Sequence, residues 1–264
     1  MKITRVTLLG PLFAALLVTA LSMPAAANLS ITVQPLVSEL SVAPGGSGHV
    51  KVLIKNSGTA AERIIARPVD WRTLSDGSTT LERPGAEGDS SITRFLSLSA
   101  YQFDLQPEET RELALTLEMP GTFSTKPASY WGGYLVSAAP VVNPSSAIGV
   151  AATVFVYQNI NKPRKHMQMK SMHVASAANG TAKLVAHLQN DGQGYCRSQS
   201  RLLIQQSGRI VREDKVTFPV LFPGASRTLT QNIDKLPPGD YQFELTFDYG
   251  GSSILDGVTR AQIK

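Results

Sequence analysis

The sequence predicts an all-β protein made of two β-sandwiches in tandem. Three observations carry that expectation. Beyond residue 27, short runs rich in β-branched and aromatic residues recur between Gly, Pro, Asn and Asp turns. No part of that region keeps a helical period, so the crossover helices of a parallel α/β fold are missing. One polar, proline-containing segment, NINKPRK at 159–165, splits the runs into two sets. Composition agrees: 264 residues, 42% hydrophobic and 17% charged, describe a globular chain and exclude a disordered charged tail. At about 100–200 residues per domain, that length suits two domains.

The first 27 residues stand apart as a secretory signal. Lys2 and Arg5 open it, 8–21 form an apolar run, and Pro24 ends the run. Ala25, Ala26 and Ala27 then offer the small residues that a signal peptidase needs. The run falls short of the roughly 20 residues that span a bilayer. Cleavage would start the mature chain at Asn28, with no membrane span, and lower the formal charge from +5 to +3. That charge is too small for a strong nucleic-acid or membrane-surface field. The signal does not separate kingdoms; bacterial export is the expectation, and it would place the mature protein in the periplasm. The single cysteine, Cys196, permits no intramolecular disulfide and is expected to be a small buried strand residue.

The elements follow in order. Residues 29–33 alternate apolar with polar, 36–42 continue them, and 44–46 turn the chain. A strand at 50–54 stops at Asn56-Ser57-Gly58, and another covers 63–71. A long polar loop is expected over 73–91. Phe103 and Leu105 precede a turn at 106–109, and 111–117 alternates strictly, with Leu113, Leu115 and Leu117 on one face. Strands at 130–136 and 148–157 complete a first set of seven or eight. The second set starts at 167–174, and 182–188 ends at Asn190-Asp191-Gly192. Ser207-Gly208 joins 201–205 to 210–218 as a hairpin. Strands at 226–233, 241–247 and 254–263 finish it. Trp71 is expected as the sandwich tryptophan and Tyr241 as a tyrosine-corner residue. The boundaries are a signal at 1–27, a first domain at 28–158, a linker at 159–165 and a second domain at 166–264.

The order of these pieces resembles the periplasmic pilus-chaperone family. The stretch VKVLIKNSGTAAERIIARPVDW is similar to that family's second strand, turn and third strand. Gln106-Pro107-Glu108-Glu109 precedes an alternating strand as in the family, and ASYWGGYLV and AIGVAATVFVYQN match the last two strands of its first domain. LQNDG and LPPGDYQFEL resemble turn-strand pieces of its second domain. The resemblance implies two immunoglobulin-like domains and a non-catalytic periplasmic chaperone that holds a fimbrial or surface subunit by donating a β-strand. An outer-membrane usher is a further implied partner. The donor stretch would present Ile148, Val150, Ala152, Val154 and Val156 on one face. The family also anchors its client's terminal carboxylate with an arginine on the first strand and a lysine on the last. Neither 29–42 nor 148–157 contains Arg or Lys. The nearest cations are Lys162, Arg164 and Lys165, taken here as the client-anchoring candidates beside an interdomain cleft.

Two other clusters offer different chemistry. Tyr130, Trp131 and Tyr134 would suit an aromatic patch for a glycan or protein partner, which is the alternative function: an envelope binding module. Aromatic residues also fill sandwich cores. Met167, Met169 and His173 share a strand face and have the soft donors of a Cu(I) site, against the plain reading of methionines packing a first strand. No other metal and no cofactor is expected. His49, His166, His173 and His187 stand in no HExxH pattern, and GxSxG and GxGxxG are missing, so the chain is not read as an enzyme.

Overall fold

The computed structural model describes residues 28–74, 78–126, 128–142, 149–176, 181–234 and 236–264. The expected signal segment and Ile148 lie outside them. Among the described residues there is no α-helix, and no helix long and apolar enough to cross a membrane. In chain order the first domain forms β1 (Ile31–Gln34), β2 (Val37–Leu40), β3 (Ser47–Asn56), β4 (Glu62–Thr73) and β5 (Thr79–Glu82). It continues with β6 (Leu96–Leu98), β7 (Gln102–Leu105), β8 (Thr110–Glu118), β9 (Ala128–Pro140) and β10 (Val150–Ile160). The second forms β11 (Met167–Ser176), β12 (Ala182–Asn190), β13 (Gln199–Gln206) and β14 (Arg209–Val216). It ends with β15 (Ser226–Ile233), β16 (Gly239–Asp248) and β17 (Leu255–Ile263).

Each domain is a sandwich of two sheets. In the first, β1-β3-β8-β6 faces β2-β10-β9-β4-β5, with β7 also on β4. Alternation decides what lies between them: Val52, Ile54, Leu113, Leu115 and Leu117 point inward from β3 and β8 to meet Ile64, Val136, Val154 and Val156. In the second, β11-β12-β15 faces β14-β13-β16-β17 around Leu184, Leu202, Ile204, Phe243, Leu245 and Phe247.

The structure departs from the sequence reading in four places. The expected continuation at 36–42 belongs to the other sheet: β1 pairs antiparallel with β3, whereas β2 pairs parallel with β10. Pro35, which carries no N–H, stands between them, and the chain crosses from one sheet to the other there. The expected loop at 73–91 contains β5, which folds back on β4 as a hairpin. The linker starts later than expected, because β10 runs on through Ile160. Trp71 lies outside both sandwich cores, in an aromatic cluster between the domains. Tyr241 does close a corner, its hydroxyl donating to Pro237 O at 2.9 Å. Ser207 and Gly208, at φ 50° and 77°, make the tight turn between β13 and β14.

Both domains are built on one repeated corner. Asn56 Oδ1 accepts the Gly58 N–H at 2.8 Å, while Nδ2 donates to Ala60 O at 2.8 Å and Leu105 O at 3.1 Å. Asn190 does the same with the Gly192 N–H at 2.8 Å, Gly194 O at 2.9 Å and Leu221 O at 2.8 Å. The turns beneath match as well: Glu108 N–H donates to Asn56 O, and Gly224 N–H donates to Asn190 O. Glu108 and Gly224 both have positive φ, each just after a proline. The chain enters each domain across the same corner. Ser57 and Thr59 N–H donate to Ser30 and Asn28 carbonyls; Asp191 and Gln193 N–H donate to those of His166 and Arg164.

Candidate functional site

β10 is unusual in being covered on one side only over part of its length. It pairs with β9 along its whole length, Val150 to Ile160. On its other side β2 pairs only with Phe155 to Gln158. Over Val150 to Val154 that side meets no strand among the described residues. Phe155 N–H donates to Leu36 O at 2.8 Å, so Phe155 turns its backbone groups away from β9. By strand alternation Ala151 and Thr153 do the same, and their N–H and C=O groups line the open stretch. Such an edge is a template for one more strand.

The side chains fit the same description. Val154 and Val156, 1% and 0% exposed, are fixed in the first core, while Val150 and Ala152 pack against it half-covered. These four share one face. On the other face Ala151 is exposed, Phe155 packs edge-on against Trp71 at 4.7 Å, and Tyr157 is buried. Burial pushes the Tyr157 phenol up to about 12, with Arg197 opposing and Glu39 adding. At the far end Gln158 clamps β10 to the chain after β2. Val42 N–H donates to Gln158 Oε1 at 3.1 Å, and Nε2 donates to Val42 O at 2.7 Å.

Beyond Gln158 the strand opens onto a cleft of about 550 Å³ between the domains, lined by 41–44, 159–165 and 250–252. Asn161 and Lys162, both at φ 49°, turn the chain sharply ahead of Pro163. The three cations of this stretch all line the cleft but have different duties. Arg164 is engaged: its carbonyl accepts the Gln193 and Gly194 N–H groups, and its guanidinium donates to Asp191 O at 3.0 Å. Lys165 sets its ammonium over the Tyr195 ring, 4.9 Å from the centroid. Lys162 is exposed, and no carboxylate among the described residues lies within ion-pair distance of it.

The floor beside the cleft is aromatic. Trp71, Trp131, Tyr157, Tyr195 and Phe222 form one buried cluster drawn from both domains. Trp131 and Phe222 centroids are 4.1 Å apart, Tyr157 and Tyr195 4.5 Å. Trp131 Nε1 donates to Trp71 O at 3.2 Å. Ser129 crosses the boundary twice, its N–H donating to Gln193 O and its Oγ accepting from Tyr195 N–H. Glu39 and Arg197 add an ion pair at 3.8 Å.

This packing corrects the aromatic patch. Tyr130 and Tyr134 are buried in the first core, with Tyr134 donating to Leu96 O at 2.9 Å, and Trp131 points the opposite way into the interdomain cluster. The three share no exposed surface. The Cu(I) grouping also separates. The β11 register shifts between Met169 and Ser171, making Lys170 an extra residue. Met169, Met172 and Val174 therefore follow Met167 onto the core side, while His173 is exposed. The repeated corner and the open half-edge escaped the sequence, although the two Asn-x-Gly triplets were a signal for the former.

No protein-family model matches the sequence, and no curated protein matches it. Solved structures do match. The chain is similar to the SafB chaperone solved with the Salmonella enterica SafA pilin, at 14% identity and TM-score 0.45, over 89% of this chain and 99% of that one. It is similar to the CsuC–CsuE chaperone–subunit complex of Acinetobacter baumannii, at 12% and 0.45, over 88% and 97%. The class 5 fimbriae chaperone CfaA matches at 9% and 0.43, over 89% and 99%. These likenesses extend over most of the chain at low sequence identity.

Proposed function

We propose that this chain is a non-catalytic periplasmic chaperone that holds a fimbrial or surface subunit by strand addition to β10. The open stretch from Val150 to Val154, with the half-covered Val150 and Ala152, carries this reading. An added strand gives partners to the N–H and C=O groups of Ala151 and Thr153. At about 0.5–1.5 kcal/mol net per hydrogen bond, these contribute on the order of 2–6 kcal/mol, with apolar contact at Val150 and Ala152 added. Lys162 is the cleft cation free to take a client carboxylate. β2 occupies the edge between the open stretch and the cleft, so a client that uses both does so with two different segments.

Proline substitution tests the edge without disturbing the β9 ladder. Ala151→Pro with Thr153→Pro removes only N–H groups that face away from β9. The tagged mature protein should capture a near-stoichiometric partner from an envelope extract of its own cells, and this variant at least tenfold less, with its thermal midpoint close to wild type. Equal capture by the folded variant contradicts strand addition.

A further inference from the structure

Glu62, at the start of β4, is a carboxylate that the first domain buries without a charged partner, and unlike the equally buried Asp70 it has an oxygen with no hydrogen bond. It is 0% exposed; Oε1 accepts the Ser30 N–H at 2.8 Å, and Oε2 has no hydrogen-bond partner. Among the described residues no Lys, Arg or His side chain lies within ion-pair distance of it. Burial raises its pKa, and the Ser30 hydrogen bond offsets part of that. A buried carboxylate calls for a cation or further donors.

Asn28 lies beside this group. Its carbonyl accepts the Thr59 N–H at 3.0 Å, and its own N–H donates to Thr59 Oγ1 at 3.1 Å. Gly58 lets the two approach: a Cβ there would run into Asn28 O and come within 2.6 Å of Glu62 Oε1. The repeated corner sets the two entering chains side by side for comparison. Asn28 occupies the position that Arg164 holds in the second domain, and Ser30 that of His166. There Arg164 donates to the Asp191 carbonyl and the His166 ring meets the Asp191 carboxylate, which stands where Ser57 does; the place of Glu62, paired with Leu105, is taken by Cys196, paired with Leu221. The first domain therefore buries a carboxylate where the second buries a thiol, and the residues entering beside it, Asn28 and Ser30, carry no charged side chain.

We propose that removal of the signal segment supplies a cation, the α-ammonium of Asn28, as the partner of Glu62. Hydrolysis of the Ala27–Asn28 bond consumes one water, leaves a carboxylate on Ala27 and frees an amine on Asn28 that takes up a proton. One N–H donor becomes three. The Asn28 carbonyl stays held by Thr59, while rotation about the Asn28 Cα–C bond is released and swings the ammonium toward Glu62. Glu62 is then satisfied only in the processed chain, independently of any client.

The test is a two-by-two comparison of thermal midpoints at pH 6.5 and low salt. Mature protein starting at Asn28 is set against the same chain carrying two extra alanines, each with Glu62 and with Glu62→Gln. The extension should lower the midpoint by about 5 °C with Glu62, the scale of a lost charged hydrogen bond in a chain of this size, and by under about 1 °C with Gln. Equal shifts in both backgrounds overturn the proposal. If E62Q does not fold, the ¹⁵N-labelled Asn28 amine of the wild type is titrated by NMR. Its pKa should lie above the ordinary range of about 7.7–8.0, and a value within or below that range overturns the proposal. A raised amine pKa gives stability that is complete below about pH 7.7 and lost as pH rises through the folded value. A mature mass that starts at any residue other than Asn28 also overturns it.

Discussion

Asn56 and Asn190 each hold three backbone groups with one side chain, and each domain turns on that residue. Their place in turns was legible, because Asn-x-Gly marks an Asx-type turn on its own. Their second task was not: Asn56 reaches Leu105, 49 residues away, and no local pattern encodes that distance. Tyr241 was legible because its partner Pro237 is four residues back. Cys196 was expected to be buried and is, at 1% exposure, although it sits in an isolated bridge to Leu221 and outside any named strand. Burial pushes its thiol up to about 11, against the opposing effect of Lys165. With the folded pKa raised, its contribution to stability is complete below the unfolded value of about 8.5 and lost as pH rises through about 11. At pH 8 an aromatic disulfide reagent should therefore label native protein only as fast as the second domain opens, and denatured protein at once. Immediate stoichiometric labelling of the native protein would show the thiol to be accessible.

Most strands were visible because alternation survives wherever one face is buried. β8 reads the same in sequence and structure, with Leu113, Leu115 and Leu117 in the core. What sequence could not show is which sheet a strand joins or where its cover stops. β1 and β2 are nearly contiguous in sequence yet belong to opposite sheets, and β10 carries apolar residues on both faces yet is half open. The bulge in β11 had no signal either, and one inserted residue was enough to exchange His173 for Met172 on the core side. β10 gives a graded expectation along a single face. Val154→Arg forces a guanidinium into a site 1% exposed and should cost about 3–5 kcal/mol by urea unfolding. Val150→Arg, at the half-covered end, should cost under about 1 kcal/mol, since the long stem lets the charge reach water. Equal costs would mean that the covered and open halves of β10 are not distinct.

On the scale of the whole molecule, the aromatic cluster is what makes two sandwiches one body. Trp71 and Trp131, the chain's two tryptophans, both lie in it. Sequence reasoning assigned them to a core and to a surface patch, because a second domain covering the outer face of a sheet leaves no local trace. Trp71 is buried for that reason, whereas its neighbour Asp70 is covered from within the first domain, accepting from Ser91 Oγ at 2.8 Å and from the Glu87 N–H at 3.2 Å. The docked domains leave β10 ending in a cleft that Arg164 and Lys165 help to build and in which Lys162 remains exposed. In the proposed function this arrangement would offer a client both an edge and a charge. The most direct measurement of that claim is amide hydrogen exchange of the mature protein with and without its captured partner. Strand addition predicts that the Ala151 and Thr153 amides exchange fast in the free protein and slow at least tenfold in the complex. The amides of Ala152 and Val154, which face β9, should stay protected in both. Unchanged exchange at Ala151 and Thr153 in a stoichiometric complex would contradict it and move the binding site off β10.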